Sequence, residues 1–126
     1  MRILLVEDHS DSLEALSRVL RIDGHEVTGA ATHADAIRLC QAQHFDLVIC
    51  DIGLPDGDGW DIAEVARECG SKAIALSGYG MPEDVAHARR SGFAAHLLKP
   101  ITFERLRSAI SGVFPPEISP SAISPA

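Results

Sequence analysis

Residues 45–51, Phe-Asp-Leu-Val-Ile-Cys-Asp, carry a block of apolar side chains straight into a carboxylate, after which the chain turns through Gly53, Pro55, Gly57 and Gly59. An apolar block too short for a helix and containing β-branched residues reads as a strand buried on both faces. Strands of that kind belong to parallel sheets covered by helices, which narrows the fold more than any other stretch does. Asp51 closes the block, so an acid sits where strand gives way to loop. In open parallel sheets, ligands bind outside the carboxyl ends of the strands.

The rest of the chain supplies four more strands. Arg2-Ile3-Leu4-Leu5-Val6 is a second buried run and ends in Glu7-Asp8. His9-Ser10-Asp11-Ser12 then provides helix-start chemistry, and Leu13, Leu16 and Leu20 mark one face of a helix stopping near Gly24. Residues 25–30 form a weaker strand. Thr32-His33-Ala34-Asp35 resembles a capping box and opens a helix buried through Ala36, Ile37 and Cys40. After the glycine-rich loop, Trp60, Ala63, Val65 and Ala66 predict a helix ending near Gly70, and residues 73–76 a fourth strand running into Ser77-Gly78. Pro82, followed by Glu83 and Asp84, opens a helix with Arg89-Arg90 in its last turn and Gly92 at its stop. Residues 93–98 make the fifth strand, which ends in Lys99-Pro100. Thr102 caps a last helix whose apolar positions are Phe103, Leu106, Ile110 and Val113.

Five strands alternating with five helices require crossover connections, so the sheet is parallel and helices cover both faces. The expected fold is α/β: a three-layer, doubly wound, flavodoxin-like sandwich whose five-stranded parallel sheet runs in the order 2-1-3-4-5. A chain of 126 residues is one such domain, over 1–114. Residues 115–126, dominated by Pro and Ser, read as a tail or linker. The net charge of -7 argues against direct nucleic-acid binding or an anionic membrane surface. The run Ile3 to Val6 is too short for a signal peptide or a membrane span. Cys40, Cys50 and Cys69 lack close spacing and read as small buried residues in a reducing cytoplasm.

Four of the five strands thus end in side chains capable of chemistry: Glu7-Asp8, Asp51, Ser77 and Lys99. In the order 2-1-3-4-5 these four strands are neighbours about 4.8 Å apart, so their ends converge. Any one of these residues alone would pass for a helix cap or turn former; four at equivalent positions are harder to reach by accident. Two carboxylates about 4 Å apart repel by roughly 4 kcal/mol at an effective dielectric near 20. Three must hold protons or a cation. Hard oxygen ligands with room for water favour Mg2+, and the Gly53 carbonyl can add another oxygen. An exposed carboxylate, a magnesium ion, a lysine and a hydroxyl together suit phosphoryl transfer onto Asp51.

The segments Leu4-Leu5-Val6-Glu7-Asp8, 51–59 from Asp51 to Gly59, Ala75-Leu76-Ser77-Gly78 and Leu97-Leu98-Lys99-Pro100 resemble the receiver domain of two-component response regulators. The likeness covers about residues 1–114. It implies that Asp51 accepts phosphoryl from a phosphohistidine on a sensor histidine kinase or a histidine phosphotransfer protein. It implies that Glu7, Asp8, Asp51 and the Gly53 carbonyl arrange Mg2+, that Ser77 and Lys99 bind phosphoryl oxygens, and that the Lys99–Pro100 peptide is cis. Such a domain is a signalling switch, catalysing only its own phosphorylation and dephosphorylation. Its fourth strand to fifth helix change surface on phosphorylation, and its fourth-helix to fifth-helix face often forms a homodimer. The segments 76–80 and 92–100 look most like receivers attached to hybrid sensor histidine kinases.

Some positions depart from the family pattern. Where similar domains carry Tyr or Phe three residues before the lysine, this chain has His96. The plainer reading, preferred here, is a half-buried ring replacing the aromatic; the sharper one is that its protonation biases the switch. Gly53 and Tyr79 occupy positions that influence phosphoaspartate lifetime in similar domains. His9, His25, His33, His44 and His87 show no ligand spacing, and Trp60 reads as an anchor of the helix it opens. Asp56, Asp58 and Asp61 read as turn and capping residues. A haloacid-dehalogenase-type phosphatase would want a second acid at position 53, which is Gly, and a cap region. A flavodoxin-like cofactor binder would want small residues, not acids, after the first strand. A degenerate receiver that binds without phosphorylation would lack acceptor-site groups that are all present here.

Overall fold

The computed structural model describes residues 1–52, 60–78 and 90–114, with Trp60 given by its main chain. Along these residues run β1 (Arg2–Val6), α1 (Ser10–Ile22), β2 (Glu26–Ala30), α2 (His33–Ala42), β3 (Leu47–Asp51), α3 (Trp60–Glu68), β4 (Lys72–Ser77), β5 (Ala95–Leu98) and α4 (Phe103–Val113). The strands form one parallel sheet in the order β2-β1-β3-β4-β5, as the alternation of elements predicts. Four of the five expected helices are therefore described. The helix expected to open at Pro82 falls on 79–89, outside the described residues, and only Arg90 and Ser91 of it are seen, as helix. Gly53, Asp56, Asp58, Tyr79, His87, the Trp60 side chain and the tail 115–126 also lie outside the described residues.

Successive strand residues point to opposite faces, and the sequence fills both faces with apolar side chains. Leu4, Val6, Val48, Cys50, Ala73 and Ala75 pack on one side with Ala36 and Cys40 of α2 and Ile62, Ala63 and Ala66 of α3. Ile3, Leu5, Leu47, Ile49, Ile74, Leu76 and Leu97 pack on the other with Leu20 of α1 and Leu106, Ile110 and Val113 of α4. Alanines on both β4 and α3 leave little side chain between them, so that helix can approach the sheet closely. Cys40, Cys50 and Cys69 are free thiols; burial pushes Cys40 up to about 11, which leaves it protonated at neutral pH.

Local signals set the element ends. Thr32 Oγ1 accepts from the Asp35 amide at 3.1 Å and Thr102 Oγ1 from the Arg105 amide at 3.2 Å, each satisfying an otherwise orphaned helix donor. β3 begins two residues later than the apolar run, although the Asp46 amide donates to the Arg2 carbonyl at 2.8 Å and its carboxylate accepts from the Arg2 amide at 2.7 Å. Phe45 is still buried ahead of it. β5 likewise starts at Ala95 rather than Phe93. Gly92 turns the chain at φ 98°, Phe93 is spent as a buried plug, and the Ala94 amide donates to the Ala73 carbonyl at 2.7 Å.

At the opposite pole from the strand ends, Arg107 donates from Nε and Nη2 to the two carboxylate oxygens of Asp23, both at 2.7 Å, tying α4 to the end of α1. The Arg107 hydrogen bond holds the Asp23 carboxyl below the usual carboxylate range, against a smaller opposing push from burial. A depressed acid contributes stability above its unfolded-state pKa and loses it as pH falls through the folded one. Arg107→Met is therefore expected to lower the urea midpoint at pH 7, and the gap from the parent to close once acidification protonates Asp23. Equal midpoints at pH 7 would contradict this.

Candidate functional site

Parallel register brings the strand ends to one edge. Val6 pairs with Cys50, so Glu7 and Asp51 leave adjacent strands at the same level; Asp51 pairs with Leu76, so Ser77 follows on the next strand. Main-chain bonds extend the ladders past the strands: the Glu7 amide donates to the Ala30 carbonyl at 3.0 Å, Ile52 to Leu76 at 3.0 Å, and Lys99 to Ser77 at 2.8 Å. The last bond brings the Lys99 backbone alongside Ser77. The Lys99–Pro100 peptide is cis.

Three of these side chains meet directly. Lys99 Nζ donates to Glu7 Oε2 and to Asp51 Oδ2, both at 2.8 Å. Glu7 is fully buried and Asp51 is 6% exposed. Burial alone would depress the Lys99 ammonium, but hydrogen bonds to Asp51 and Glu7, with their charges, outweigh it and leave its pKa above the ordinary lysine value. One ammonium thus faces two carboxylates, and Asp8 adds a third acid. Asp8 Oδ1 is buried and has no hydrogen-bond partner among the described residues. Ligand atoms of Glu7, Asp8, His9 and Asp51 all lie within 4.8 Å of one another. A buried carboxylate oxygen that accepts no hydrogen bond among the described residues, with His9 Nδ1 near it at 3.3 Å and two further acids beside it, fits a hard divalent cation, with Glu7, Asp8 and Asp51 as the oxygen donors.

Ser77 is 2% exposed and sits on the sheet face of Ala73 and Ala75, the face that α3 covers. His96 pairs with Ala75 across β4 and β5, so its half-buried ring stands on the same face. The two side chains touch, with Ser77 Oγ 2.8 Å from His96 Nε2. An open groove of about 690 Å³ borders the site, lined by Glu7, Ser12, Leu16, Lys99, Ile101 and Phe103 among others. Phe103 is 45% exposed there.

Sequence reasoning thus named Glu7, Asp8, Asp51 and Lys99, which the structure brings together, and Ser77 and His96, which it joins to each other. The Gly53 carbonyl falls outside the described residues. His9, which shows no ligand spacing in the sequence, stands beside the acids, its Nδ1 2.9 Å from Glu7 Oε1 and 3.3 Å from Asp8 Oδ1. It stands at the N-cap of α1 but makes no side-chain cap bond, its ring being turned into the acids. The hydrogen bond to Glu7, then the charges of Asp8 and Glu7, raise its pKa. The available signal was its position, directly after two acids at a strand end.

Comparison with known proteins meets this geometry from a separate direction. The family model for the response regulator receiver domain matches residues 3–111. An uncharacterised 14.6 kDa protein from the sodA1 3′ region of Leptolyngbya boryana is 33% identical over 124 residues, covering 93% of this chain and 95% of that protein. The transcriptional regulatory protein PdtaR of Mycobacterium tuberculosis is 33% identical over 86% of this chain, which spans only 54% of PdtaR. The crystal structure of a CheY-like receiver domain protein from Methanospirillum hungatei superposes with a TM-score of 0.81 at 29% identity, over 87% of this chain and 90% of that one. No described helix is long and apolar enough to cross a membrane. A sheet in the receiver order, acids and a lysine gathered at its carboxyl edge, and a family match across nearly the whole described chain agree: this chain belongs to the response regulator receiver domain family.

Proposed function

We propose that this receiver is a phosphorylation-controlled switch in which Asp51 accepts a phosphoryl group from a phosphohistidine on a sensor histidine kinase or histidine phosphotransfer protein. The observation that carries this reading is the buried Asp51 carboxylate held 2.8 Å from the Lys99 ammonium at the sheet edge. In the reaction an Asp51 oxygen attacks phosphorus, the P–N bond breaks with its electrons passing to the histidine nitrogen, and an acyl phosphate remains on Asp51. Lys99 meets the charge developing on the phosphoryl oxygens, while Glu7 keeps the ammonium at that position. Glu7, Asp8 and Asp51 would hold Mg2+, with the Gly53 carbonyl as a further donor. When bound, Mg2+ supplies charge neutralisation for the incoming phosphate.

Ser77 and His96 form the readout. The Ser77 hydroxyl turns to a phosphoryl oxygen, its contact with His96 changes, and the surface from the fourth strand to the last helix repacks for a partner. The chain acts as a binding module rather than a turnover enzyme. It works in the cytoplasm with neither nucleic acid nor membrane as a direct ligand, and the face between the helix expected to open at Pro82 and the last helix is the site of any homodimer. The receiver unit covers 1–114 and residues 115–126 serve as tail or linker. Such a unit works alone or within a longer chain, a hybrid sensor kinase among them.

Magnesium with beryllofluoride is expected to shift amide resonances across Ser77 to Lys99; an unchanged spectrum there would contradict the switch. His96→Phe, which keeps a ring but removes the bond to Ser77, is expected to raise the fraction of molecules in the beryllofluoride-bound form at subsaturating beryllofluoride. The parent's titration curve reproduced unchanged would show that the bond does not restrain Ser77.

A further inference from the structure

We propose that Cys40 and Cys69 form a reversible disulfide by exchange with a small-molecule disulfide such as oxidised glutathione, closing a covalent loop around the segment that carries Asp51. Both are free thiols on the sheet face covered by α2 and α3. Cys40 belongs to the cluster that includes Ala36, Phe45 and Ala66, and Cys69 packs against the same cluster. Cys40 lies in the last turn of α2, and Cys69 directly follows α3. In a parallel sheet both crossover helices run back against the strands, so these two ends share the pole opposite the acids.

The chain leaving each helix ties the two ends together. The Ser71 hydroxyl donates to the Phe45 carbonyl, and His44 Cε1 lies 4.0 Å from the point where a side chain on Gly70 would begin. Beside this tie, α2 and α3 pack against each other. Helix axes about 8–10 Å apart, with Cα atoms about 2.3 Å off each axis, leave facing Cα atoms within the separation of about 4.4–6.8 Å that a disulfide spans. Burial first, and then the neighbouring Cys69, push the Cys40 thiol up to about 11, so the two sulfurs also sense each other electrostatically.

Exposure sets the order of events. Cys40 is buried and Cys69 half-buried, so Cys69 meets the oxidant first. Its thiolate attacks one sulfur of oxidised glutathione and expels a glutathione thiolate, leaving a mixed disulfide. Cys40 then loses its proton to solvent and attacks the Cys69 sulfur, expelling the second glutathione thiolate. Two protein thiols are oxidised to one disulfide, one glutathione disulfide is reduced to two thiols, and the protons shed by the cysteines end on them. Cys50 stays out of the exchange, being fully buried on β3 with its Sγ donating to the Asp51 carbonyl at 3.2 Å. Transient disulfides of this kind in a reducing compartment report its redox state.

The test is incubation of the full folded chain with oxidised glutathione, acid quenching, and intact mass with non-reducing peptide mapping, beside the variants Cys40→Ala and Cys69→Ala. The parent is expected to end two hydrogen masses lighter, with a peptide pair joined through Cys40 and Cys69. Cys40→Ala is expected to stop one step earlier, carrying a single glutathione on Cys69, and Cys69→Ala to form no bridge. The exchange constant of the parent is expected to be about 10-fold or more larger in native buffer than in concentrated urea, where the fold no longer holds the thiols together. A parent left unmodified, one that stops at the mixed disulfide, one that pairs Cys40 with Cys50, or an exchange constant as large in urea would overturn the proposal.

Discussion

Replacing Lys99 with methionine is expected to slow acetyl phosphate labelling of Asp51 by about two orders of magnitude, the usual cost of removing one preorganised group from developing charge. The side chain touches both acids at 2.8 Å, so its loss also removes the ammonium that bridges Glu7 and Asp51. Breaking a fully buried pair by removing one partner costs about 3–5 kcal/mol. Lys99 is 29% exposed, and water screens part of that, so the metal-free variant is expected to lose about 1–3 kcal/mol. Saturating magnesium should restore part of the stability, because a cation offsets the same carboxylates, but not the rate. Urea unfolding with and without magnesium, read beside the labelling time course, checks both halves. A variant that labels at the parent rate would remove Lys99 from the chemistry.

Asp8→Asn is expected to act in the opposite sense on stability. The third acid of the cluster lacks the lysine contact that Glu7 and Asp51 share, and its Oδ1 has no hydrogen bond among the described residues. In the proposed switch Asp8 is a cation ligand, and without the ion its charge is repelled by the two neighbouring carboxylates. Neutralising it should raise the metal-free stability by about 1 kcal/mol, the net of repulsion from Glu7 and Asp51 relieved and attraction to His9 Nδ1 at 3.3 Å lost. The same change should weaken magnesium by about 10-fold or more. Thermal unfolding across a magnesium titration is the measurement: the variant starts higher than the parent and gains less. A metal-free midpoint below the parent's would show that Asp8 stabilises the fold rather than straining it.

Much of this molecule is written in short-range pattern. The apolar runs at residues 3–6 and 47–50 and the alternation with helices fix the sheet and its order, because buried strands joined by crossovers leave few alternatives. The convergence of Glu7, Asp51 and Lys99 follows from the same topology, since chemistry-bearing residues at equivalent strand ends must meet once the strands are neighbours. Strand starts were less legible: Phe45 and Phe93 continue the apolar pattern but pack ahead of β3 and β5, and hydropathy does not distinguish a plug from a strand residue. The direction of a single ring was illegible too. His9 was placed by a hydrogen bond to the carboxylate two residues before it, and His96 by one to Ser77 on the neighbouring strand. Neither contact leaves a periodic trace in the chain.

The central claim is that the carboxylate at the end of β3 takes the phosphoryl group, and acetyl phosphate labelling read by intact mass tests it most directly. In magnesium, the parent chain is expected to gain one hydroxylamine-labile phosphoryl group, whereas Asp51→Asn, folded as judged by its amide spectrum, gains none. An Asp51→Asn protein that labels like its parent would contradict the account.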